Sequence, residues 1–122
     1  MSPGMKILIV EDEADLARNL QIHFRRRLAE VKVVPSGERA LEVAREFRPD
    51  VLVLDYRLPG IDGLDTFAQF SGLPMQYGCV MITGDASEAL PQVARTVGIR
   101  HVLEKPFSFS QLESAFESTP MS

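Results

Sequence analysis

Short apolar runs alternate along this chain with longer stretches in which apolar residues recur every three or four positions. Each run has the length of a β-strand, and each stretch has the period of a helix with one buried face. In the first such stretch, Leu16, Leu20 and Phe24 recur at helical spacing. The pattern predicts five strands, at residues 6–10, 31–34, 51–54, 79–82 and 101–103, each followed by a helix.

The regular alternation of strands and helices predicts an α/β fold. Strands that alternate with helices of this length form a parallel sheet covered by helices on both faces. The strands are unbroken apolar runs, which is typical of strands buried on both sides. We therefore expect an open five-stranded parallel sheet flanked by five helices.

Local signals mark the starts of the last two helices. Pro91 lies where the fourth helix should begin, and proline is tolerated in the first turn of a helix but not deeper. The fifth helix has two candidate capping boxes, Ser108 with Gln111 or Ser110 with Glu113. The sequence does not choose between them.

Composition is that of an ordinary globular domain, with 122 residues of which 45% are hydrophobic and 25% charged. No apolar run approaches the roughly 18 residues needed to cross a bilayer. The single cysteine, Cys79, excludes an internal disulfide, and its apolar neighbours predict a core residue.

We expect one domain over residues 5–118, with 1–4 as a short leader or cloning remnant and 119–122 as a tail. Residues 1–4 are too short for a signal peptide, so the expected location is the cytoplasm.

The charge balance argues against a nucleic-acid surface. The formal net charge is −4 and the pI is about 5.1, whereas nucleic-acid binding usually requires a basic patch. The one basic run, residues 25–27, lies where the first helix should end, and cations are favourable at a helix C-terminus. We predict no nucleic-acid contact for this chain.

Five polar residues stand directly after the apolar runs. Glu11 and Asp12 follow the first, Asp55 the third, Thr83 the fourth, and Lys105 comes just after the fifth. The carboxyl ends of parallel strands meet at one edge of an open α/β sheet, where ligands bind. We therefore expect these side chains to share one pocket.

Such a pocket would hold carboxylates that repel one another unless a cation lies among them. Carboxylates, waters and phosphate oxygens are the ligands that Mg²⁺ prefers. A carboxylate can also be the nucleophile of phosphoryl transfer, with a metal ion and Lys105 stabilising the charge and Thr83 donating to a phosphoryl oxygen. Glu13 and Asp15 continue the acidic run, but we assign them to the first turn of the first helix, where negative charge is favourable.

The sequence resembles the receiver domain of two-component response regulators. The matching segments are ILIVEDE, VLVLDYRLPGIDG, VMITG and LEKPF, which together are highly specific, and the similarity extends from Met5 to about Ser118. The resemblance implies a flavodoxin-like (βα)5 fold with strand order 2-1-3-4-5. It also implies a signalling protein rather than an enzyme.

The resemblance implies a metal site and its ligands. Asp12 and Asp55 would bind Mg²⁺ (or Mn²⁺) directly, and the backbone carbonyl of Arg57 would be a further ligand. Glu11 would hold the metal ion through a water molecule. Glu11 stands where an aspartate is common in the family, which lengthens this outer contact by one methylene.

The resemblance also implies the phosphorylation chemistry. Asp55 would be the phosphoacceptor, Thr83 the hydroxyl that moves toward the phosphoryl group, and Lys105 the cation that pairs with it. The Lys105–Pro106 peptide would be cis. The donor would be a histidine kinase or a phosphotransfer protein, and the output partner would bind the face formed by the fourth helix, fifth strand and fifth helix. A homodimer formed on phosphorylation is a further expectation.

Two positions affect how the switch would operate. Many receiver domains carry Tyr or Phe three residues before the lysine, and here that residue is Val102, so the aromatic part of the usual switch is missing. Strand alternation should direct the neighbouring His101 to the opposite face. Arg57 and Asp85 flank the predicted pocket, and an ion pair between them would shield the phosphoryl group from water.

Three other readings compete with a phosphorylated receiver. An aspartyl-phosphate hydrolase would need a second acid two residues after Asp55, where this chain has Arg57. A flavin-binding protein would need a first loop that attracts phosphate, and the Glu-Asp-Glu sequence at residues 11–13 would repel it. A degraded receiver that serves only as an interaction module is disfavoured by the complete set of Asp, Thr and Lys, whereas Val102 keeps it open.

Overall fold

Five parallel strands and five helices alternate along the chain in the computed structural model, which describes residues 2–70, 72, 78–84 and 89–118. The strands pair in the order β2-β1-β3-β4-β5, which confirms the predicted fold class and strand order. The elements are β1 (Lys6–Val10), α1 (Ala14–Arg26), β2 (Glu30–Val34), α2 (Gly37–Phe47), β3 (Val51–Asp55), α3 (Gly63–Phe70), β4 (Gly78–Thr83), α4 (Leu90–Thr96), β5 (His101–Glu104) and α5 (Phe109–Ser118).

The strands extend one residue beyond the predicted apolar runs at several ends. Asp55 and Thr83 were expected to follow β3 and β4, but each is the last residue of its strand, in register with Ile82 and Glu104 respectively. Backbone hydrogen bonds form the ladder, so pairing continues past the point where the side chains stop being apolar.

Alternate strand residues build two separate cores, one on each face of the sheet. Leu8, Leu52 and Met81 face α2, α3 and α4, where they pack with residues such as Phe67 and Phe70. The intervening strand residues face α1 and α5. That second core contains Ile7, Ile9, Val53, Ile82, Leu20, Phe24, Leu112 and Phe116. Two covered faces explain why the inner strands β1, β3 and β4 are apolar at nearly every position.

The starts of α4 and α5 follow the sequence signals. Pro91 is the second residue of α4, within the first turn as expected. The capping box of α5 uses Ser108 and Gln111: Gln111 N donates to Ser108 Oγ at 3.0 Å, and Ser108 N donates to Gln111 Oε1 at 2.8 Å. The alternative box is wrong, because the helix begins at Phe109 and so places Ser110 inside it.

The basic run ends α1 as predicted, and it also joins α1 to α5. Arg25 and Arg26 lie in the last turn of α1 and Arg27 is its C-cap. Nη2 of Arg27 lies 3.1 Å from Oε1 of Glu113, and Nε2 of His23 lies 3.4 Å from the other oxygen of the same carboxylate. The His23 ring stacks on Phe109, with centroids 4.0 Å apart and planes 9° apart.

Several smaller predictions can be compared directly with the structure. Cys79 is buried in β4, and burial raises the pKa of its thiol, as expected of a core residue. The Lys105–Pro106 peptide is cis, as predicted. Within the described residues, no helix combines the length and the apolar character needed to span a membrane.

Candidate functional site

The carboxyl edge of the sheet brings the predicted polar residues to one place. Asp55 ends the central strand β3 and Thr83 ends β4 beside it, and both are buried. Glu11 follows β1 on the other side of β3 and is also buried, although it carries a carboxylate. Lys105 follows β5, and its backbone N–H donates to the carbonyl of Thr83 at 2.7 Å, which fixes it to the end of β4.

Three carboxylates form a cluster at this edge. Glu11, Asp12 and Asp55 each offer one oxygen, and these oxygens all lie within 4.8 Å of one another. Glu11 and Asp55 are buried, whereas Asp12 is exposed, so the cluster opens to solvent on the side of Asp12. An all-oxygen donor set of this kind suits a hard cation, which would also relieve the repulsion among the acids. The residues therefore fit a metal ion.

Lys105 supplies positive charge to the same carboxylates. Its Nζ lies 2.8 Å from Oε1 of Glu11, 3.1 Å from Oδ2 of Asp55 and 3.5 Å from Oε2 of Glu13. The side chains of Glu11 and Asp55 are 0% and 5% exposed, whereas that of Glu13 is 63% exposed. Lys105 thus holds two buried acids and touches a third at the pocket mouth, by which we mean the solvent-facing side formed by Asp12 and Glu13.

The pKa values of Glu11 and Lys105 are both shifted in this site. Burial and the neighbouring Asp55 carboxylate raise the pKa of Glu11 to about 7, although Lys105 and the backbone N–H of Glu13 act in the opposite direction. Burial lowers the pKa of Lys105, but its contacts with Glu11 and Asp55 outweigh that effect and raise it overall. Lys105 therefore remains charged. The repulsion among the crowded acids contributes to the raised pKa of Glu11.

The loop after β3 holds the Asp55 carboxylate in place. Arg57 N donates to Oδ1 of Asp55 at 3.2 Å, and Gly63 N donates to the carbonyl of Tyr56 at 2.8 Å. A Cβ at Gly63 would lie 2.5 Å from the carbonyl oxygen of Asp55, so only glycine lets α3 begin this close to the strand end. The role of the Arg57 carbonyl as a metal ligand stays a prediction.

Val102 and His101 face opposite sides of β5, as strand alternation predicts. Val102 packs against the core beneath α2, α3 and α4, while His101 and Leu103 line an open groove against α5. The groove has a volume of about 360 Å³. Asp85 lies outside the described residues, so the ion pair that we expect between Arg57 and Asp85 stays a prediction.

One residue of this site was not predicted from sequence. Glu13 was assigned to the helix start, and it does precede α1 as its N-cap, but its carboxylate also reaches Lys105. A contact across 92 positions of the chain depends on how β5 ends, and no local pattern reports it.

Comparison with known proteins identifies the family. The profile of the response regulator receiver domain matches residues 7–117, which is nearly the whole chain. The chain belongs to this receiver family. The resemblance drawn from the sequence segments is thereby confirmed, and the fold and the polar edge of the sheet agree with it.

Curated relatives of this receiver are response regulators. It is 32% identical over 103 residues to the alkaline phosphatase synthesis transcriptional regulatory protein PhoP of Bacillus subtilis, a match covering 84% of this chain and 43% of PhoP. It is 34% identical over 110 residues to the DNA-binding response regulator MtrA of Mycobacterium tuberculosis, covering 88% of this chain and 46% of MtrA. The chain therefore spans less than half the length of these relatives.

Solved receiver domains share the architecture. The BeF3-activated N-terminal receiver domain of Klebsiella pneumoniae RstA superposes with a TM-score of 0.84 at 27% identity, covering 92% of this chain and 95% of that one. The receiver domain of the Francisella response regulator 1452 has a TM-score of 0.83 at 20% identity, covering 93% of this chain and 98% of that one, which shows the fold alone.

Proposed function

We propose that this receiver accepts a phosphoryl group on Asp55 from the phosphohistidine of a histidine kinase or phosphotransfer protein, with Mg²⁺ bound. The observation that supports this most is the position of the Asp55 carboxylate, which belongs to the three-carboxylate cluster and also contacts Lys105 at 3.1 Å. Each of its two oxygens has a donor, because Oδ1 accepts from Arg57 N at 3.2 Å. These contacts orient the carboxylate before the phosphoryl donor binds.

In the proposed reaction, a carboxylate oxygen of Asp55 attacks phosphorus, and the bond from phosphorus to the donor's imidazole nitrogen breaks. The imidazole leaves, and an acyl phosphate forms on Asp55. Mg²⁺ held by Asp12, Asp55 and the Arg57 carbonyl, with Glu11 acting through water, would neutralise charge on the transferred group. Lys105 supplies a further cation, and Thr83 supplies a hydroxyl at the end of the neighbouring strand.

The likeness to response regulators supports this chemistry. The RstA receiver domain is described as activated by BeF3⁻, and the chain is 27% identical to it. The proposed output surface lies on α4, β5 and α5. Val93 on α4 and Val97, its C-cap, are 44% and 42% exposed one turn apart, and the groove between β5 and α5 lies on the same edge of the sheet. A partner protein, or a second copy after phosphorylation, would bind there.

We propose that this chain does not share the DNA binding for which its relative MtrA is named. MtrA is named as DNA-binding, but the present chain matches less than half of it. Because the net charge of the chain is −4, we propose that these residues contact no nucleic acid. We also propose that the protein works in the cytoplasm without membrane contact.

Intact-mass measurement tests the proposal. The chain is incubated with a small acyl phosphate donor and Mg²⁺, and we expect a mass gain equal to one phosphoryl group. The gain should be absent in Asp55→Asn and after chelation by EDTA, whereas Asp50→Asn is a matched control that removes the acid immediately before β3, beyond the opposite end of that strand. No gain in the wild-type chain would favour the alternative, an unphosphorylated receiver that serves as an interaction module, for which Val102 is the supporting observation.

A further inference from the structure

Lys105 and a bound metal ion would require the same two carboxylates. The Lys105 ammonium contacts Glu11 at 2.8 Å and Asp55 at 3.1 Å, and both residues belong to the three-carboxylate cluster. An ammonium and a divalent cation repel each other at close range. Lys105 must therefore give up part of its contact with Glu11 and Asp55 when the cluster is engaged by metal.

Glu13 offers Lys105 a third carboxylate that the cluster does not use. Its Oε2 lies 3.5 Å from Nζ, and its side chain is 63% exposed, so it can adjust toward the ammonium. Its backbone is fixed at the site, because Glu13 N donates to Oε2 of Glu11 at 3.1 Å and Glu13 O accepts from Ala17 N at 3.0 Å. An exposed carboxylate therefore stands on a fixed backbone at the pocket mouth.

We propose that Glu13 is a positioning residue that takes over the Lys105 ammonium when metal occupies the carboxylate cluster. The inference rests on the proposed function. With Glu13 as partner, Lys105 stays at the pocket mouth beside Asp55. Without it, the released side chain turns into solvent and must be ordered again before it can meet a phosphoryl oxygen. Glu13 thus lowers the cost of releasing Lys105 from Glu11, and it raises the affinity for metal.

This role is tested by titrating the 122-residue chain with Mg²⁺ at constant ionic strength, with binding monitored by NMR. Glu13→Gln is compared with Asp15→Asn, which removes another exposed acid from the start of α1, and both are repeated with Lys105→Met. We expect Glu13→Gln to weaken Mg²⁺ binding about two- to fivefold, the range of an exposed ion pair. Asp15→Asn should have a smaller effect. With Lys105→Met present, the effect of Glu13→Gln should disappear.

A second readout follows the lysine itself. The chain has three lysines, so the Cε signal of Lys105 can be assigned by its loss in Lys105→Met. On Mg²⁺ addition this signal should keep the dispersion of an ordered lysine in the wild-type chain and move to solvent-like values in Glu13→Gln. A signal that responds identically in the two proteins would overturn the proposal.

The outcomes separate this inference from the proposed function. Equal weakening by Glu13→Gln with and without Lys105 would show a plain charge effect and refute the positioning role. Saturable Mg²⁺ binding that Glu13→Gln leaves unchanged would refute the inference alone. If the wild-type chain shows no saturable binding, the metal-dependent function fails, and the inference fails with it.

Discussion

Replacing Glu11 by glutamine should change how the stability of the metal-free protein depends on pH. Burial and the Asp55 carboxylate raise the pKa of Glu11 from 4.5 to about 7 in the folded state. The folded protein therefore keeps this proton over a pH range in which the unfolded chain has released it. The resulting stabilisation is complete below pH 4.5 and is lost as the pH rises through about 7.

The magnitude follows from the two pKa values. Between pH 5 and pH 8, a shift from 4.5 to about 7 corresponds to roughly 2–3 kcal/mol of lost stability in the wild-type chain. Glutamine has almost the same shape and cannot ionise, so Glu11→Gln should avoid this loss. Lys105 keeps Asp55 as a partner at 3.1 Å, so the substitution leaves no isolated ammonium.

The effect is measured by urea unfolding at pH 5 and pH 8 in the presence of EDTA. Unfolding is monitored by far-UV circular dichroism, because the chain contains no tryptophan. The free energy of unfolding of Glu11→Gln, taken relative to wild type, should rise by roughly 2–3 kcal/mol between the two pH values. Asp15→Asn serves as the charge control. Parallel pH profiles for Glu11→Gln and wild type would refute the assignment of a raised pKa to Glu11.

The same reasoning predicts how metal affinity depends on pH. In the proposed site Glu11 would face the metal ion as a carboxylate, so metal binding should release a proton below about pH 7. The affinity of the wild-type chain for Mg²⁺ should therefore rise with pH up to about 7 and then level off. A calorimetric titration in two buffers of different ionisation enthalpy detects the released proton, and its absence at pH 6 would contradict the prediction.

Substitutions at three positions outside the site test packing, backbone strain and a helix cap, and Ser110→Ala is the control for the cap. Gly37→Ala should destabilise the fold by about 1–3 kcal/mol in urea unfolding, because its Cβ would collide with Oγ1 of Thr66, which is fully buried. Leu28→Gly should stabilise by up to about 1 kcal/mol, since Leu28 has φ +66° and is 69% exposed, and a lower midpoint would contradict this. Ser108→Ala should cost about 1 kcal/mol through loss of the cap of α5, while Ser110→Ala should change stability by less than about 0.5 kcal/mol.

The fold was predictable from sequence because its signals are local and repeated. Strands such as Val51–Asp55 are apolar at almost every position, and that pattern arises only when both faces of a strand are covered. The C-terminal edge was predictable for the same reason, since Asp55 and Thr83 mark where two of these runs stop. Neither conclusion required any contact between distant parts of the chain.

The unpredicted features depend on contacts between residues far apart in sequence or on the exact residue at which a helix begins. The carboxylate of Glu113 lies within ion-pair distance of both His23 and Arg27 across the α1–α5 interface, and Gly37 is small because α3 packs against it. The choice of Ser108 over Ser110 as the cap depended on where α5 begins, a shift of two residues that periodicity does not resolve. The third contact of Lys105, with Glu13, also joins residues far apart in sequence.

Because residue 102 is valine and not an aromatic residue, we infer that the proposed switch would operate through the backbone between β4 and β5. Lys105 N donates to the Thr83 carbonyl at 2.7 Å, and Thr83 is in register with Glu104, so the ends of the two strands are directly linked. A shift of Thr83 toward a phosphorylated Asp55 would therefore move the end of β5 together with Lys105. Because α5 begins four residues later, at Phe109, the displacement would reach the output surface without any side chain rotating. Val102, which stays packed against the core beneath α4, would serve as the fixed point of that movement.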